Sequence, residues 1–299
     1  MRVRFSFFRP SAQNCLVSLL GASFVLCFCQ GALGQNESAQ KIELAPYLDS
    51  AQAYCERIKN IALYYVAKER IIDKRYFYRV LETKKHPGER SATAWTVKFE
   101  PKGSKIVTLL YDYQLISKNG QYQEKRQLLE EGGKEKHEEN AELKGLKFSS
   151  QYLVFGPVGF LSRYWQNHFS YEVIGTELVG KTNCIIIKAT PKEPREENNN
   201  VGKVWLAEND SRVLRIEWEA KSILGYQEGK VTLPTNEMRR TVICRVEYDV
   251  EKNGVRFPGL QSFREVLLGE KPEDQVVLEE ITYGYYDYKF FTVGVAIKY

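Results

Sequence analysis

The sequence predicts a mainly β fold with few helices, on the strength of three observations. Runs rich in aromatic and β-branched residues recur along the chain, and turn-forming residues separate them. One long stretch near the N-terminus carries an apolar stripe at helical spacing instead. The chain has 299 residues, 43% of them hydrophobic, so it is long enough to bury a large core. An antiparallel sheet or barrel with few helices satisfies all three observations.

The first 34 residues have the pattern of a secretory signal peptide. Three arginines precede an apolar, uncharged run over residues 15–29, and Ala32-Leu33-Gly34 places small residues where a leader peptidase cuts. The run is about 15 residues long, whereas a membrane-spanning helix needs about 18 or more. We therefore expect export to the periplasm, cleavage near Gly34 and Gln35, and no stable membrane anchor.

The charge balance argues against a nucleic-acid partner. The chain has 43 basic and 38 acidic residues, and loss of the three leader arginines would leave 40 and 38. Both signs are interleaved along the sequence, so no clustered positive footprint for a polyanion is expected.

Three of the six cysteines lie beyond the leader, at Cys55, Cys184 and Cys244. An odd number leaves at least one thiol unpaired in an oxidising compartment. A bridge between Cys184 and Cys244 and three buried free thiols are both compatible with the apolar runs around them, and we expect the free thiols.

The helix is expected just after a polar, flexible lead-in over residues 35–45. Pro46 suits a first helical turn, and the apolar stripe comprises Leu48, Ala51, Cys55, Ile58, Ala62 and Tyr65. We expect residues 46–299 to form a single β domain.

Strands are expected wherever aromatic and β-branched residues cluster, with Pro87-Gly88 and Lys102-Gly103 as turns between early strands. The predicted strands are residues 76–81, 94–99, 106–111, 171–174, 184–189, 203–206, 213–218, 241–250, 261–268, 276–283 and 290–298. The charged Gly-Gly stretch over residues 130–142 is expected to be a solvated loop or a frayed helical turn.

The pattern changes between Ser149 and His168, where residues 152–161 are apolar on all sides and contain two glycines and a proline. A short helix or lid fits this segment better than a strand. Its side chains could be simple core residues, or they could line an apolar ligand pocket. The candidate lining residues are Phe155, Phe160, Leu161, Tyr164 and Trp165.

The sequence lacks the usual signatures of catalysis. It has no nucleophile elbow, phosphate loop, dinucleotide fingerprint or His-Glu-x-x-His motif. The three histidines, His86, His137 and His168, have no second His or Cys at ligand spacing. We therefore expect no enzymatic activity, no cofactor and no metal.

The C-terminus leaves one alternative open. Phe291, Val293, Val295, Ile297 and Tyr299 alternate up to a terminal aromatic, as in the last strand of an outer-membrane β-barrel. The N-terminal amphipathic helix and the charges within later strands argue against a lipid-facing band.

Two hairpins carry a family resemblance. Residues 202–217 form a Trp-containing strand, a polar turn and a Leu-Arg-Ile strand, and residues 251–258 place Asn253-Gly254 at a tight turn before Phe257-Pro258. With the strand that ends at Pro191, they resemble the LolA/LolB-like superfamily of periplasmic lipoprotein-sorting proteins, closest to its uncharacterised exported bacterial members. The resemblance extends over residues 46–299.

The resemblance implies a strongly curved antiparallel sheet, an incomplete barrel, wrapped around the N-terminal helix and a short central helical segment. It also implies an apolar cavity for lipid or lipoprotein acyl chains, each buried CH₂ of which contributes about 0.8 kcal/mol. We therefore expect a soluble periplasmic carrier with a lipid or lipoprotein acyl chain as its partner. The alternative is a non-catalytic interaction or sensor module that binds another envelope protein.

Overall fold

The computed structural model describes residues 2–3, 43–61, 64–84, 95–118, 121–143, 145–193, 200–223, 225–232, 237–270 and 275–291. The predicted leader and lead-in lie almost wholly outside these ranges, and so does the C-terminal strand beyond residue 291. Cleavage near Gly34 and Gln35 therefore stays a prediction.

Helices in the described residues are few and mostly short. They are α1 (Ala45–Ile61), α2 (Gly156–Leu161) and α3 (Arg163–Gln166), with 3-10 turns at Leu153–Phe155 and Ala220–Ser222.

Strands make up most of the remaining described chain. They are β1 (Arg2–Val3), β2 (Tyr64–Lys84), β3 (Trp95–Lys118), β4 (Gln121–Glu131), β5 (Lys134–Glu138), β6 (Ser149–Ser150), β7 (Phe169–Val179), β8 (Thr182–Pro191), β9 (Gly202–Ala207), β10 (Val213–Trp218), β11 (Gly229–Thr232), β12 (Glu237–Glu247), β13 (Val250–Lys252), β14 (Val255–Phe257), β15 (Leu260–Leu268) and β16 (Gln275–Phe290).

Twelve of these strands form one curved antiparallel sheet. Its order is β5-β4-β3-β2-β16-β15-β12-β10-β9-β8-β7, with β11 paired to β12, and β5 and β7 do not pair with each other in the described part of the chain. The sheet is therefore an incomplete barrel, and the predicted fold class is confirmed. Strands β1 and β6 form a separate parallel pair, and β13 and β14 form a separate hairpin.

The helix α1 packs its predicted stripe against the core. Ala51, Cys55 and Ile58 are fully buried, and Tyr54 joins them on the same face. The predicted continuation to Tyr65 was wrong, because α1 ends at Ile61 and Tyr65 pairs with Leu115 in the ladder between β2 and β3. Its aromatic ring still reaches the core, but from a strand.

The predicted turn at Lys102-Gly103 was also wrong. The two strands expected over residues 94–99 and 106–111 are parts of β3, which pairs with β2 along almost its whole length. The ladder absorbs one extra residue of β3 opposite Phe77 and Tyr78, and Gly103 supplies the unusual backbone there with φ of 151°. Lys102-Gly103 forms a bulge and not a turn, because β2 continues to pair with β3 on both sides of it.

Residues 130–138 contain the end of β4, a tight turn and β5, so most of the predicted loop or helical turn is part of a hairpin. Gly132 and Gly133 have φ of 57° and 78°, and they join β4 to β5. All five residues of β5 are exposed, as expected for a charged segment. The hairpin of β13 and β14 is confirmed, since Asn253 and Gly254 both adopt positive φ at its turn.

The three described thiols are free and buried. Cys55, Cys184 and Cys244 each have no exposed surface. Cys184 belongs to a small satellite cluster with Trp205, while Cys244 belongs to the main core. No helix within the described ranges is long and apolar enough to cross a bilayer.

Candidate ligand-binding site on the inner face of the sheet

A single connection crosses from one end of the sheet to the other. Strand β5 is one end strand and β7 is the other, and residues 139–168 join them. We call these residues the crossing segment. It passes over the concave inner face, where its helix α2 packs against α1.

The middle of the crossing segment is buried almost completely. Phe148 has no exposed surface, and all residues from 153 to 162 are buried. These side chains share one core cluster with α1 and with inner-facing strand residues, among them Ile71, Tyr113, Leu115, Ile187, Val204, Ile216, Val246 and Ile281. The inner face is therefore covered by the protein's own apolar side chains.

Three of the five predicted lining residues lie together on this inner face. Phe155, Phe160 and Leu161 are 0–1% exposed. The ring of Phe155 is 4.5 Å from that of Tyr122, and the ring of Phe160 is 6.0 Å from that of Trp218. Their side chains are thus part of the core on the inner face of the sheet.

The other two predicted residues lie at the rim. Tyr164 is 51% exposed and stacks on His168, with ring centroids 4.6 Å apart. Trp165 is half-buried, with its ring 6.0 Å from that of Phe169 at the start of β7. Tyr164 thus faces solvent, while Trp165 borders the core.

Hydroxyl groups of tyrosines hold the backbone of the crossing segment. Tyr283 donates to the carbonyl of Phe148 at 2.6 Å, and Tyr248 donates to the carbonyl of Leu153 at 3.0 Å. Farther along, Tyr171 donates to the carbonyl of Phe160. Each of these bonds gives a buried or partly buried carbonyl of the crossing segment a hydrogen-bond donor, and a buried carbonyl without a donor is costly.

These tyrosines are well suited to remain donors. Burial raises the pKa of Tyr248, Tyr283 and Tyr171 well beyond the usual tyrosine range. Their hydroxyls therefore stay protonated at any physiological pH. No local sequence pattern distinguishes these three from the other tyrosines, although the total of 19 in the chain is a signal by itself.

One end of the inner face is ionic. Lys147 of the crossing segment lies 2.6 Å from Glu265, and Arg75 of β2 donates to the carbonyl of Gly145 at 3.0 Å. The backbone N–H of Tyr152 donates to Glu124 at 2.5 Å. The start of the crossing segment therefore contacts the sheet through ion pairs and hydrogen bonds, whereas its later part contacts the sheet mainly through apolar side chains.

Three depressions in the described surface lie away from the five predicted lining residues. One of about 480 Å³ is lined by Lys68, Asp112, Asp287 and Lys289, and one of about 440 Å³ is lined by Glu217, Lys221 and Arg239 among others. A third of about 250 Å³ lies beside the crossing segment at Glu124 and Gln151. None of these three is lined by a predicted ligand residue.

The described residues contain no group of three His, Cys, Asp or Glu side chains arranged to hold a metal ion.

The comparisons with known proteins give structural matches. No family model matches the chain, and no curated protein matches it. A DUF1329 family protein from Desulfovibrio piger matches at 9% identity, over 85% of this chain and 95% of that protein, with a TM-score of 0.34.

Two further solved structures match over a similar extent. A protein described as an outer membrane lipoprotein-sorting protein domain from Vibrio parahaemolyticus is 11% identical over 85% of this chain and 96% of its own, with a TM-score of 0.36. A LolA superfamily protein from Nitrosomonas europaea is 11% identical over 82% and 94%, with a TM-score of 0.28. Both proteins are named for the group of proteins that the two hairpins of this chain resemble.

Proposed function

We propose that this chain is an exported, non-catalytic carrier that holds an apolar ligand on the inner face of its sheet. The ligand is a lipid or the acyl chain of a lipoprotein, and no metal or cofactor takes part. Residues 46–299 would fold as one soluble unit in the periplasm after loss of the leader. The ligand would occupy the place that Phe155, Phe160 and Leu161 now fill.

The observation that carries this proposal is the apolar nature of residues 152–168, the later part of the crossing segment, which we call the cover of the inner face. The crossing segment fills that face with aliphatic and aromatic side chains, and an acyl chain offers the same kind of surface. When a ligand displaces such a cover, each CH₂ that it buries contributes about 0.8 kcal/mol, which offsets the apolar contacts that are lost.

The helices of the cover depend on packing for their stability. Helix α2 has six residues and α3 has four, and neither has a side-chain N-cap hydrogen bond. Helices this short are marginal by themselves in water. The cover also begins at Tyr152, which has φ of 55° and is strained for a residue with a side chain. A strained entry and weakly self-supporting helices favour a cover that can move away from the sheet.

A disulfide that can be formed and reduced again tests the proposal. The Sγ of Cys55 in α1 lies 3.5 Å from the carbonyl oxygen of Pro157 in α2, so P157C introduces a second cysteine close to Cys55, and mass spectrometry shows whether the disulfide forms. Oxidation would then tie the cover to α1, and reduction would release it. Y164C adds a thiol at the exposed rim and is the matched control.

Binding is measured by titration with a pyrene-labelled 16-carbon fatty acid, read as quenching of tryptophan fluorescence. We expect saturable binding by the unmodified chain and by Y164C, at least tenfold weaker binding by oxidised P157C, and full recovery after reduction. Equal binding by the oxidised and reduced forms of P157C, with the disulfide verified by mass spectrometry, would contradict the proposal. Absence of binding by the unmodified chain would contradict it as well.

An interaction or sensor module is the second candidate. It is favoured by the fact that the protein's own side chains occupy the inner face in this structure. Mass spectrometry of lipids extracted from natively purified, detergent-free protein separates the two candidates. A carrier should yield a stoichiometric lipid, whereas a module that binds only proteins should yield none.

A further inference from the structure

The strands β2 and β3 extend beyond the rest of the sheet as a two-stranded ribbon. The ladder of β2 with β16 ends at Arg75, and the ladder of β3 with β4 begins at Leu109. In the described part of the chain, residues 76–84 and 95–106 therefore pair in ladders only with each other or with Lys74 and Arg75. We call these two stretches the ribbon, and at about 3.3 Å per residue its nine-residue strand spans about 30 Å.

The ribbon exposes apolar side chains that the body of the protein does not cover. Phe77 is 52% exposed, Val80 is 45% exposed and Ile106 is 57% exposed. Val80 faces Phe99 across the ladder, and the next pair on the same face is Tyr78 and Pro101. The rings of Tyr78 and Phe99 meet edge to face with centroids 6.2 Å apart. The face of the ribbon opposite Phe77 thus carries an apolar and aromatic strip of Tyr78, Val80, Phe99 and Pro101, and Ile106 lies farther along the same face.

The ribbon also concentrates the positive charge of the chain. It contains five basic residues and two acidic ones, Glu82 and Glu100, whereas the whole chain beyond the leader has 40 and 38. The ribbon's excess of three is therefore larger than the excess of two for residues 35–299. The described basic side chains of the ribbon, Arg79, Lys98, Lys102 and Lys105, are all exposed.

The backbone of the ribbon is poorly suited to accept another strand. Pro101 lacks an N–H group, and the bulge opposite Phe77 and Tyr78 interrupts the regular edge of β3. Lysines along that edge act against strand addition as well. Edge pairing with a second copy or with a partner chain is therefore disfavoured, and a partner that contacts side chains is favoured.

We propose that the ribbon docks on the surface of an anionic phospholipid bilayer. The apolar strip lies on one face of the ribbon, and the basic side chains Arg79, Lys98 and Lys105 project from the opposite face. An apolar face opposite a basic face is the amphipathic arrangement of segments that lie in a membrane interface. Cations near an anionic bilayer are attracted to its surface, and the apolar strip can enter the boundary between headgroups and acyl chains. Water and headgroups would satisfy the open backbone edges. This docking is separate from ligand binding on the inner face.

Vesicle flotation tests the docking. The purified protein is mixed with vesicles of pure phosphatidylcholine or of phosphatidylcholine with 30% phosphatidylglycerol, at low and high salt. We expect flotation with the anionic vesicles at low salt, weaker flotation at high salt, and little with the neutral vesicles. Each cation near an anionic surface contributes about fivefold, so K98Q/K102Q/K105Q should bind about 100-fold more weakly. V80S/I106S should also bind at least tenfold more weakly.

Matched variants elsewhere on the surface serve as controls. K134Q/K181Q/K252Q removes the same charge at three exposed lysines outside the ribbon, and L178S removes an apolar side chain that is 62% exposed on β7. Removal of any three positive charges should weaken binding to anionic vesicles to some extent. The loss of vesicle affinity for K98Q/K102Q/K105Q must therefore be at least tenfold larger than the loss for K134Q/K181Q/K252Q. Equal losses by the two lysine variants, or no binding of the unmodified protein to anionic vesicles, would overturn the proposal. A concentration-dependent dimer abolished by V80S/I106S, without vesicle binding, would assign the strip to a second copy instead.

Discussion

Arg126 of β4 and Glu69 of β2 form a two-pronged ion pair inside the protein. The Nε and Nη2 atoms of Arg126 lie 2.6 and 3.0 Å from the two carboxylate oxygens of Glu69, which is fully buried. The hydroxyl of Tyr285 donates to the same carboxylate at 2.9 Å, and Glu124 lies 3.4 Å from Arg126. One guanidinium therefore serves two buried carboxylates, across three strands of the sheet.

Loss of this guanidinium should be costly. R126M leaves Glu69 and Glu124 buried without their cation, and removal of one partner from a buried pair costs about 3–5 kcal/mol. The free energy of unfolding, from urea titration followed by circular dichroism, should fall by that amount. K230Q breaks the exposed pair of Lys230 and Glu237 and should change it by less than about 1 kcal/mol. Equal changes in the free energy of unfolding for R126M and K230Q would contradict the conclusion that the ion pair of Arg126 and Glu69 is buried.

Glu265 and Glu279, both near Lys147, should respond to pH with opposite signs. Burial opposes ionisation of Glu265, but hydrogen bonds from Arg240 and Lys147 outweigh it and lower its pKa. Its ionised form therefore stabilises the fold above the unfolded-state pKa of about 4.3, and this contribution disappears as the pH falls through the lower folded-state pKa. E265Q should be less stable than the unmodified protein at pH 7, and the difference should shrink towards pH 3.

Burial and the nearby charge of Asp73 raise the pKa of Glu279. Glu279 therefore lowers the free energy of unfolding as the pH rises from the unfolded-state pKa of about 4.3 through the higher folded-state pKa. E279Q should be at least as stable as the unmodified protein at pH 7, and the difference should again close at low pH. Urea titrations between pH 3 and 7 measure both variants. The two pKa directions would be refuted if both variants moved stability the same way.

Gly202 should tolerate no side chain. A methyl group there would collide with the backbone carbonyl of Glu217 in the neighbouring strand and would press on the ring of Phe160 at 3.3 Å. A backbone carbonyl within a ladder cannot move aside easily, so G202A should lower the free energy of unfolding by about 1–3 kcal/mol. G229A has open space around the new methyl and should change it by less than about 0.5 kcal/mol. Thermal and urea unfolding of the two variants provide the comparison.

The three described thiols should resist modification until the protein unfolds. Burial raises the pKa of Cys55, Cys184 and Cys244, and the thiolate is the reactive form. We expect no iodoacetamide label on these residues in native protein over an hour, and complete labelling in 8 M urea without reductant. Mass spectrometry of the tryptic peptides identifies each site. Failure of Cys184 and Cys244 to label in urea until reductant is added would reveal the bridge that this structure lacks.

The local elements were predictable because their signals are local. The period-two runs located most strands, and Asn253-Gly254 located a tight hairpin since few other dipeptides adopt two positive φ angles at low cost. The predictions failed where a distant partner overrode a local signal. Gly103 resembles a turn residue, but the long partner strand β2 converts the turn into a bulge.

The candidate site was only partly predictable. Phe155, Phe160 and Leu161 were identified because an apolar run with glycine and proline fits neither a strand nor a surface loop. Phe148 escaped notice, although it stacks on Phe263 at 5.5 Å, because its sequence neighbours are polar. The donors Tyr248 and Tyr283 lie about 100 residues or more from the carbonyls that they hold.

The sequence by itself determined the class of the fold, its single long helix and the apolar nature of the central segment, because these depend on side-chain periodicity within a few residues. Only the tertiary structure decided that this segment crosses the sheet, that tyrosines hold its carbonyls and that β2 and β3 project as a ribbon. Each of these depends on which strands become neighbours. In this protein β16 joins β2 with about 200 residues between them, and a local pattern does not encode such a pairing.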